Sequence, residues 1–428
     1  MELLKATNPL VGVIEVPGDK SISHRSIMLG SLAQGETRIH NFLRADDCLS
    51  TLSIFKQLGV NIYDDGDVVV VEGVGLRGLV SSELPLDVGN SGTTIRLIMG
   101  ILVGQGYNYI LTGDNSIQKR PMQRVMTPLE EMGATLFGYD NSEFAPIIIK
   151  GVNNLTPIDY HMPVASAQVK SAIIFAALFT NGVTTISEKK PTRNHTEVML
   201  TQFGGKISYL NHQILIPGNQ ALKGTTIHVP GDFSSAAFFI TAALLVPDSD
   251  LIIKHVGVNK TRTGLIDVIK KMGGNIEVLD YQAEDESATI RVKSSTLKGI
   301  EVSGDIIPSL IDELPLVALL GSLATGETVI KDAKELRVKE TDRIDCVARE
   351  LNLLGANIKT REDGMVIQGV ESLHGGNVTS HGDHRIGMML QITALTMPIS
   401  ETVILKESQA VSVSFPNFFK DLKELMEG

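Results

Sequence analysis

The segment Ile54–Ile62, IFKQLGVNI, joins the end of an amphipathic helix to the start of a strand, and its recurrence decides the fold prediction. The later copies are LEEMGATL (129–136), LTQFGGKI (200–207), IKKMGGNI (269–276) and LNLLGANI (351–358). Each contains a glycine at the position where helices commonly end in a left-handed residue. Because the copies stand about 70 residues apart, the sequence predicts one supersecondary unit that is used repeatedly.

A second phrase alternates with the first: a nearly uncharged helix that leads into a short strand. Its six copies occupy residues 25–39, 95–111, 170–186, 236–253, 315–330 and 386–404. A helix that is apolar on all sides belongs inside a core, so we expect these helices to be buried beneath the amphipathic ones. The sequence therefore predicts an α/β (α+β) fold of six βαβαββ units, three in each of two domains.

The domain boundaries follow from how the chain begins and ends. At 428 residues it is longer than one hydrophobic core usually grows, which favours two domains. It begins on the strand VGVIEV (11–16) and ends on the helix FFKDLKELMEG (418–428), so we expect the opening strand to complete the last repeat. One domain is then expected at 18–229 and the other at 1–17 plus 230–428, with a cleft between them as the expected binding site.

Composition narrows the class of protein. A hydrophobic fraction of 43% without tryptophan is typical of a globular protein with large cores. The net charge of −11 argues against a general nucleic-acid binder, which needs a basic face. Two cysteines without a CxxC pair, no signal-peptide start and no apolar run of membrane-spanning length indicate a cytoplasmic protein with no membrane or nucleic-acid partner. We expect a monomer.

Short polar motifs stand immediately before the six apolar helices. They are DKSISHR, GNSGTT, ASAQVK, GDFSSAA, IDELP and GDHRI. Free N–H groups and the positive end of the helix dipole favour anions at such places, and Lys20 and Arg25 add fixed positive charge. Six such ends facing one cleft would bind an anionic ligand despite the acidic total. For each motif alone, a capped helix with surface charges is the alternative.

Carboxylates and cations near the motifs are candidates for chemistry. Asp312, in IDELP, stands between apolar residues, where a carboxylate can serve as a general base. Arg120 precedes Pro121, which holds it in a fixed turn. The run RVKETDR (337–343) is either a set of solvated helix charges or a phosphate clamp.

No metal and no cofactor are expected from the sequence. His381 and His384 form an HxxH pair, but neither a third ligand nor an HExxH pattern accompanies them, so Arg385 is better interpreted as an anion ligand. The string GVGLRG (73–78) is followed by neither a long helix nor the acidic residue that a dinucleotide-binding fingerprint requires.

Eight motifs, taken together, carry a family resemblance. GDKSISHR, GNSGTTIRL, RPM after LTGD, SAQVKSA, IDELP, RVKETDR, GDHRIGM and SFPNF occur in this order across nearly the whole chain. The set closely resembles the 5-enolpyruvylshikimate-3-phosphate (EPSP) synthase family. The resemblance implies a two-domain inside-out α/β barrel that closes over its substrates. It also implies transfer of the enolpyruvyl group of phosphoenolpyruvate to the 5-hydroxyl of shikimate 3-phosphate, with release of phosphate, in the shikimate pathway of aromatic amino-acid biosynthesis.

The resemblance also implies roles for individual residues. For shikimate 3-phosphate it implies binding by Lys20, Ser21, Arg25, Ser166, Gln168, Arg193, Asp312 and Lys339. For phosphoenolpyruvate it implies binding by Lys20, Asn90, Gly92, Thr93, Arg120, Gln168, Arg343 and Arg385. The implied catalytic residues are Asp312, which takes the 5-hydroxyl proton, and Lys339, Glu340, Lys20 and His384. The acid that protonates the methylene carbon stays open between Lys20 and Glu340.

Five positions depart from the pattern of enterobacterial members. They are Leu97, Ala167, Arg193, Glu335 and Val413. Ala167 and Arg193 resemble a subgroup that includes glyphosate-tolerant enzymes, but Gly92 is not replaced by that subgroup's alanine. We therefore expect glyphosate to compete with phosphoenolpyruvate, because Gly92 leaves room that a methyl group would occupy, although Leu97 could weaken that inhibition.

Two alternative functions are compatible with the same fold. The enolpyruvyl transferase that acts on UDP-N-acetylglucosamine carries a reactive cysteine five residues before the clamp arginine, and this chain has Asn115 there. A non-catalytic anion-binding protein of the same fold would not need Asp312, Lys339 and Glu340 together. Both alternatives are therefore disfavoured.

Overall fold

The computed structural model describes residues 1–211 and 213–427. Its α-helices are α1 (Lys20–Leu32), α2 (Asp46–Gln57), α3 (Gly92–Leu102), α4 (Gln123–Glu131), α5 (Ala167–Ala177), α6 (His195–Gln202), α7 (Phe233–Leu245), α8 (Gly264–Lys271), α9 (Ile307–Leu310), α10 (Leu314–Ser322), α11 (Arg343–Leu353), α12 (His384–Leu395) and α13 (Phe418–Glu427). Its strands are β1 (Val11–Glu15), β2 (Gln34–His40), β3 (Asn61–Asp64), β4 (Val68–Val74), β5 (Leu86–Asp87), β6 (Asn108–Thr112), β7 (Thr135–Gly138), β8 (Ile147–Lys150), β9 (Asp159–His161), β10 (Val183–Ser187), β11 (Ser208–Leu210), β12 (Gln213–Pro217), β13 (Thr226–His228), β14 (Asp250–Gly257), β15 (Asn275–Gln282), β16 (Ser287–Lys293), β17 (Glu301–Val302), β18 (Glu327–Ile330), β19 (Asn357–Arg361), β20 (Gly364–Gln368), β21 (Gly376–Thr379) and β22 (Val403–Lys406).

The four-stranded sheets share one strand order. In the sheet β5-β6-β8-β7, β5 runs parallel to β6, while β6, β8 and β7 are antiparallel neighbours. Helix α3 connects β5 to β6, and helix α4 connects β6 to β7, which gives the chain order βαβαββ. The predicted βαβαββ repeat of an α/β fold is confirmed.

The opening strand β1 belongs to a different repeat from the one expected. It pairs in parallel with β14, with Val11 opposite Asp250, so it is the first strand of the repeat that contains α7. The prediction that this strand completes the last repeat is therefore wrong. The physical reason is a tertiary contact. The carbonyl oxygen of Pro17, just after β1, accepts a hydrogen bond from Asp232 N (2.8 Å), the residue immediately before α7.

The last repeat and the first repeat are completed by other segments. Glu2 forms an antiparallel bridge with Ile404 of β22, so the first residues of the chain extend the two-stranded sheet β21-β22. In the first repeat, β13 pairs in parallel with β2 and supplies the outer strand of the sheet β13-β2-β4-β3.

Two compact units make up the chain. The contiguous unit is Gly18–Val229, which carries α1–α6 and β2–β13. The discontinuous unit is Met1–Pro17 with Pro230–Gly428, which carries the remaining helices and strands. Among the described residues, no helix combines the length and the apolar character needed to cross a bilayer.

The apolar helices form the cores, as predicted. All residues of α10 are buried, and α7 is buried from Phe233 to Leu244. In the contiguous unit α3 packs closely on α5. The two helices are so close that a Cβ added at Gly100 would lie 2.1 Å from the carbonyl oxygen of Ala172. The amphipathic α13, by contrast, buries Phe418 and Leu422 on one face only.

The predicted helix ends are also found. The glycines after α2, α4, α6, α8 and α11 have positive φ values of 78 to 94° and are Gly59, Gly133, Gly204, Gly273 and Gly355. An L-residue is strained in this left-handed conformation, whereas glycine adopts it without a side-chain clash. The repeated glycine therefore marks where each outer helix stops and the next segment begins.

Candidate active site

Side-chain oxygen atoms cap most of the buried helices. The caps are Asp19 for α1, Ser91 for α3, Ser166 for α5, Asp232 for α7 and Asp383 for α12. Each cap satisfies one or two of the N–H groups that a helix leaves without intrahelical partners. The predicted placement of the polar motifs at helix starts is confirmed.

Arg120 lies against the start of α3. Its guanidinium donates hydrogen bonds to Asn90 Oδ1 (3.1 Å) and Ser116 Oγ (3.0 Å). A Cβ added at Gly92, the first residue of α3, would lie 2.9 Å from Arg120 Nη1 and 3.0 Å from Arg96 Nη1. Glycine at this position therefore lets two guanidinium groups approach the N-terminus of one helix.

Gln168 links the first turns of α3 and α5. Its amide nitrogen donates to Thr93 Oγ1 (3.3 Å), and its amide oxygen accepts a hydrogen bond from Arg96 Nη1 (2.9 Å). Ser166, which precedes it, accepts from Val169 N (3.4 Å) as the cap of α5. Two residues predicted from separate motifs, Thr93 and Gln168, are thus in direct contact.

Arg25 is buried and held by hydroxyl groups. Its Nε donates to Thr196 Oγ1 (2.7 Å) and its Nη2 to Ser171 Oγ (2.8 Å). The two hydroxyls are themselves hydrogen-bonded at 2.6 Å. A third donor, Nη1, reaches the carbonyl oxygen of Ser21 (3.0 Å) one turn earlier in α1.

Lys20, at the start of α1, forms an ion pair with the buried carboxylate of Asp47. Nearby, His24 Nδ1 lies 2.7 Å from Thr51 Oγ1 inside the core. Burial, together with the charges of Lys20 and Arg25, holds the pKa of His24 well below 6.5. Arg193 lies in the loop before α6 and is partly exposed. The predicted residues of this unit form the contiguous-unit set: Lys20, Ser21, Arg25, Asn90, Gly92, Thr93, Arg120, Ser166, Gln168 and Arg193.

Asp312 is surrounded by cations in the discontinuous unit. Its Oδ1 lies 3.2 Å from Lys339 Nζ and 3.3 Å from Arg343 Nη1. Its Oδ2 lies 3.9 Å from Arg385 Nη2. Four residues predicted from three motifs, IDELP, RVKETDR and GDHRI, therefore meet around one carboxylate.

Arg343 is fully buried among carboxylates. Its Nε and Nη2 donate to the two oxygens of Asp383 (2.8 and 3.1 Å), and Nη2 also donates to Glu340 Oε2 (2.6 Å). Burial alone would lower the pKa of Arg343, but the charges of Asp383, Glu340 and Asp312 raise it overall. Burial alone would raise the pKa of Asp383, and the charge of Arg343 holds it below its usual value. Both groups are ionised at neutral pH.

Arg385 and His384 start helix α12. The Nη1 atom of Arg385 donates to the carbonyl oxygen of Asp312 (3.4 Å) and to Glu313 Oε1 (3.4 Å). The buried Glu313 also accepts a hydrogen bond from the hydroxyl of Ser234. His384 is buried at the first position of α12. The predicted residues of this unit form the discontinuous-unit set: Asp312, Lys339, Glu340, Arg343, His384 and Arg385.

Sequence reasoning missed the residues that hold these side chains. They are Asp47, Arg96, Ser171, Thr196 and Asp383. For Asp383 a signal was present, because a Gly-Asp pair precedes α1, α7 and α12 alike and its aspartate caps each helix. The other four residues act through contacts between segments that are distant in the chain, and no local sequence pattern predicts such contacts.

Comparison with known proteins decides the family. The family model described as EPSP synthase (3-phosphoshikimate 1-carboxyvinyltransferase) matches residues 4–422. The chain belongs to the EPSP synthase family. Similar proteins named 3-phosphoshikimate 1-carboxyvinyltransferase include one from Enterococcus faecalis, 56% identical over 425 residues that cover 99% of this chain and 100% of the relative. Another, from Listeria welshimeri, is 56% identical over 429 residues and covers 100% of both chains.

Solved structures agree with this membership. The EPSP synthase of Acinetobacter baumannii superposes with a TM-score of 0.86 at 40% identity, covering 100% of this chain and 97% of that one. The enolpyruvyl transferase NikO of Streptomyces tendae has a TM-score of 0.82 at 19% identity, covering 99% of this chain and 96% of that one, which shows a shared fold. As a member of the EPSP synthase family, the chain is a transferase of the shikimate pathway, and the alternative functions are not favoured.

Proposed function

We propose that the protein transfers the enolpyruvyl group of phosphoenolpyruvate to the 5-hydroxyl of shikimate 3-phosphate and releases phosphate. The observation that carries this proposal is the Asp312 carboxylate, which has one oxygen 3.2 Å from the Lys339 ammonium group and 3.3 Å from Arg343. A carboxylate held between cations can accept the hydroxyl proton while the same cations stabilise the oxygen that loses it. A protein that only bound anions would not need this pairing of a carboxylate with an ammonium group.

The contiguous-unit set suits the phosphate and carboxylate groups of the two substrates. Arg120 and the start of α3 offer a guanidinium and free N–H groups to phosphoenolpyruvate. Arg25, fixed by two hydroxyls, suits the phosphate of shikimate 3-phosphate, together with Ser166 and Arg193. We propose that both sets serve one reaction, because the first supplies anion binding and the second supplies the base.

The reaction then follows an addition and an elimination. Asp312 takes the proton of the 5-hydroxyl, the oxygen attacks C2 of phosphoenolpyruvate, and an acid protonates the methylene carbon to give a tetrahedral intermediate. In the second step a base removes a proton from the new methyl group, the C2–O bond to phosphate breaks, and the enolpyruvyl ether remains. Arg343, Arg385 and Arg120 stabilise the negative charge on the leaving phosphate.

The proton at the methylene carbon has two candidate carriers. Glu340 accepts a hydrogen bond from Arg343 (2.6 Å), which is a proposed ligand of phosphoenolpyruvate. Its side chain is also partly exposed. Lys20 forms an ion pair with the Asp47 carboxylate and stands at the start of α1. Glu340 and Lys20 are the two candidates, and His384 is the third residue that we propose for this proton transfer.

We also propose that the protein acts in the cytoplasm as a monomer. Its two cysteines are buried and are not joined in a disulfide, which suits a reducing compartment. Light scattering of the purified protein at micromolar concentration measures the mass directly, and a dimer would contradict the proposal.

Phosphate release in the presence of both substrates tests the function. The native protein should release phosphate only when phosphoenolpyruvate and shikimate 3-phosphate are both present. Asp312→Asn should lower kcat by about 10²- to 10⁴-fold, because the general base is lost. Arg120→Ala should instead raise the KM for phosphoenolpyruvate strongly, because a substrate ligand is lost.

Asp280→Asn is the matched control for the aspartate variant. Asp280 is exposed within β15, at the irregularity between Leu279 and Gln282, with a φ of 50°, a conformation that asparagine also tolerates. This control should keep the native kcat and KM. Phosphate release without shikimate 3-phosphate, or an unchanged kcat in a folded Asp312→Asn variant, would overturn the proposed function.

A further inference from the structure

Lys170 is a buried lysine that the proposed mechanism does not use. It lies in α5, and only 1% of its side chain is exposed. Its ammonium group lies 2.7 Å from Glu197 Oε1, 3.1 Å from Glu188 Oε2 and 3.2 Å from the carbonyl oxygen of Thr192. Two of these contacts are hydrogen bonds and the contact with Glu197 is an ion pair, so three protein oxygens surround one ammonium group.

The three partners of Lys170 lie on two other segments. Glu188 and Thr192 belong to the loop between β10 and α6, and Glu197 lies in the first turn of α6. The Glu188 carboxylate also accepts hydrogen bonds from the backbone N–H (3.2 Å) and the hydroxyl of Thr192. A single ammonium group therefore joins α5, the loop and α6.

The same three segments carry the proposed ligands of shikimate 3-phosphate. Ser166 and Gln168 lie at the start of α5, and Arg193 directly follows Thr192 in the loop. Thr196, the neighbour of Glu197, and Ser171, the neighbour of Lys170, hold the guanidinium of Arg25. Any shift of the loop or of α6 relative to α5 would therefore displace several ligands together.

Stability alone gives little reason for this arrangement. Moving an ammonium group and carboxylates out of water costs several kcal/mol for each ion, and well-packed neutral side chains are often equally stable. Burial raises the pKa of Glu197, and the charge of Lys170 opposes that shift. A charged cluster in a core is better explained by the single geometry that its hydrogen bonds impose.

We propose that Lys170 is a positioning residue that holds the loop 188–194 and the start of α6 in register with α5, and so shapes the site for shikimate 3-phosphate. The inference rests on the proposed function for its substrate. The anchoring of the loop by Lys170 is independent of that function.

A neutral version of the cluster provides the test. The triple variant Lys170→Met, Glu188→Gln, Glu197→Gln removes the charges together, so no ion is left buried without a partner. We expect it to fold with an unfolding midpoint close to that of the native protein. Its KM for shikimate 3-phosphate should rise about tenfold or more, and its KM for phosphoenolpyruvate less than about threefold, because small misplacements of ligands weaken only the substrate they bind.

Two further variants keep the test decisive. Glu188→Gln alone retains an acceptor for Thr192 but loses the charge that faces Lys170, so we expect a smaller rise in the same KM. The surface pair Lys334 and Glu362 is 71% and 80% exposed, and the double variant Lys334→Met, Glu362→Gln should leave every constant unchanged. If the triple variant fails to fold, the single variant still decides the question.

Hydrogen exchange separates this inference from the proposed function. Backbone amides of residues 188–194 should exchange faster in the triple variant than in the native protein, whether or not either enzyme accepts shikimate 3-phosphate. Native turnover with both substrates tests the function, and the exchange rates test the anchoring. Unchanged loop exchange, or a folded variant whose two KM values rise equally, would overturn the inference.

Discussion

The candidate-site arginines Arg25 and Arg120 of the contiguous unit and Arg343 of the discontinuous unit are held in different ways. In the contiguous unit, the hydrogen bonds described for Arg25 and Arg120 go to hydroxyl, amide and carbonyl oxygens, which are neutral. In the discontinuous unit, Arg343 donates to the carboxylates of Asp383, Glu340 and Asp312. A neutral partner orients a guanidinium without an opposite charge in that contact, whereas a carboxylate partner also interacts with the guanidinium through its charge.

This difference explains how one chain can supply both anion binding and a base. Guanidinium groups that stand beside helix starts favour phosphate and carboxylate groups of a substrate. Carboxylates that are already paired with cations stay ionised inside the protein and can accept protons. The contiguous-unit set is thus suited to hold ligands, and the discontinuous-unit set to move protons.

The largest expected effect comes from removing the buried arginine of the discontinuous unit. Arg343→Met leaves the buried Asp383 and the partly exposed Glu340 without the guanidinium that pairs with both. We expect the free energy of unfolding to fall by about 3–5 kcal/mol, because breaking a buried ion pair strands the remaining charge. Denaturant unfolding monitored by circular dichroism measures this change.

Arg120→Met is the matched variant of the contiguous unit. Its described partners are neutral, so no buried carboxylate loses a cation through those contacts, and a stability loss of about 1 kcal/mol is expected. Equal losses in the two variants would show that the two arginines are held alike and would break the comparison.

A smaller effect is expected from a substitution at Gly92. It tests whether the close approach of Arg120 and Arg96 to the start of α3 matters for binding. The methyl group of Gly92→Ala would lie 2.9 Å from Arg120 Nη1 and 3.0 Å from Arg96 Nη1, so both guanidiniums must move. We expect the inhibition constant of glyphosate, competing with phosphoenolpyruvate, to rise about tenfold. Steady-state inhibition assays measure it.

Ser116→Ala is the control for this prediction. It removes a hydrogen bond of Arg120 (3.0 Å) without adding a methyl group at the helix start. A smaller change is therefore expected for this variant. Equal inhibition constants for the native protein and Gly92→Ala would remove Gly92 from the explanation.

An effect that depends on pH is expected at His24, the neutral base beside the cations of α1. Because the pKa of His24 is well below 6.5 in the folded protein, the unfolded chain takes up a proton there as the pH falls below 6.5 and the folded chain does not. Stability is therefore lost on acidification, by about 1.4 kcal/mol per pH unit from this residue. His24→Asn should show a weaker dependence of unfolding free energy on pH between pH 6.5 and 5.

His161→Asn, on the exposed part of β9, controls for the loss of a histidine as such. Parallel stability curves for the native protein and His24→Asn would show that neither burial nor the charges of Lys20 and Arg25 lower the pKa of His24.

Local patterns predicted much of the fold. The apolar helices, the glycines that end the outer helices and the polar caps are set by side chains within a few residues, so they can be read from short segments. The partner of β1 was predicted wrongly, because the alternation in VGVIEV indicates a strand without indicating which strand lies beside it. The choice depended on where Pro17 and Asp232 meet.

The candidate site divides in the same way. The motifs proposed Asp312, Arg343 and Arg385 as functional residues, and the contacts around Asp312 bring them together in the discontinuous unit. Whether these residues bind and convert the substrates stays a prediction. The supporting residues Asp383 and Lys170 became visible only through contacts between segments that are far apart in the chain.

The sequence by itself determined the repeat, the buried and outer helices, and the helix starts at which the candidate ligands stand. Those features depend on periodicity and on conformational preferences that act over one or two turns. Only the tertiary structure decided which carboxylate neutralises Arg343, which hydroxyls orient Arg25 and which segments Lys170 joins. Such pairings arise when distant segments are brought within hydrogen-bond distance in a desolvated core, where partner and distance determine the energy.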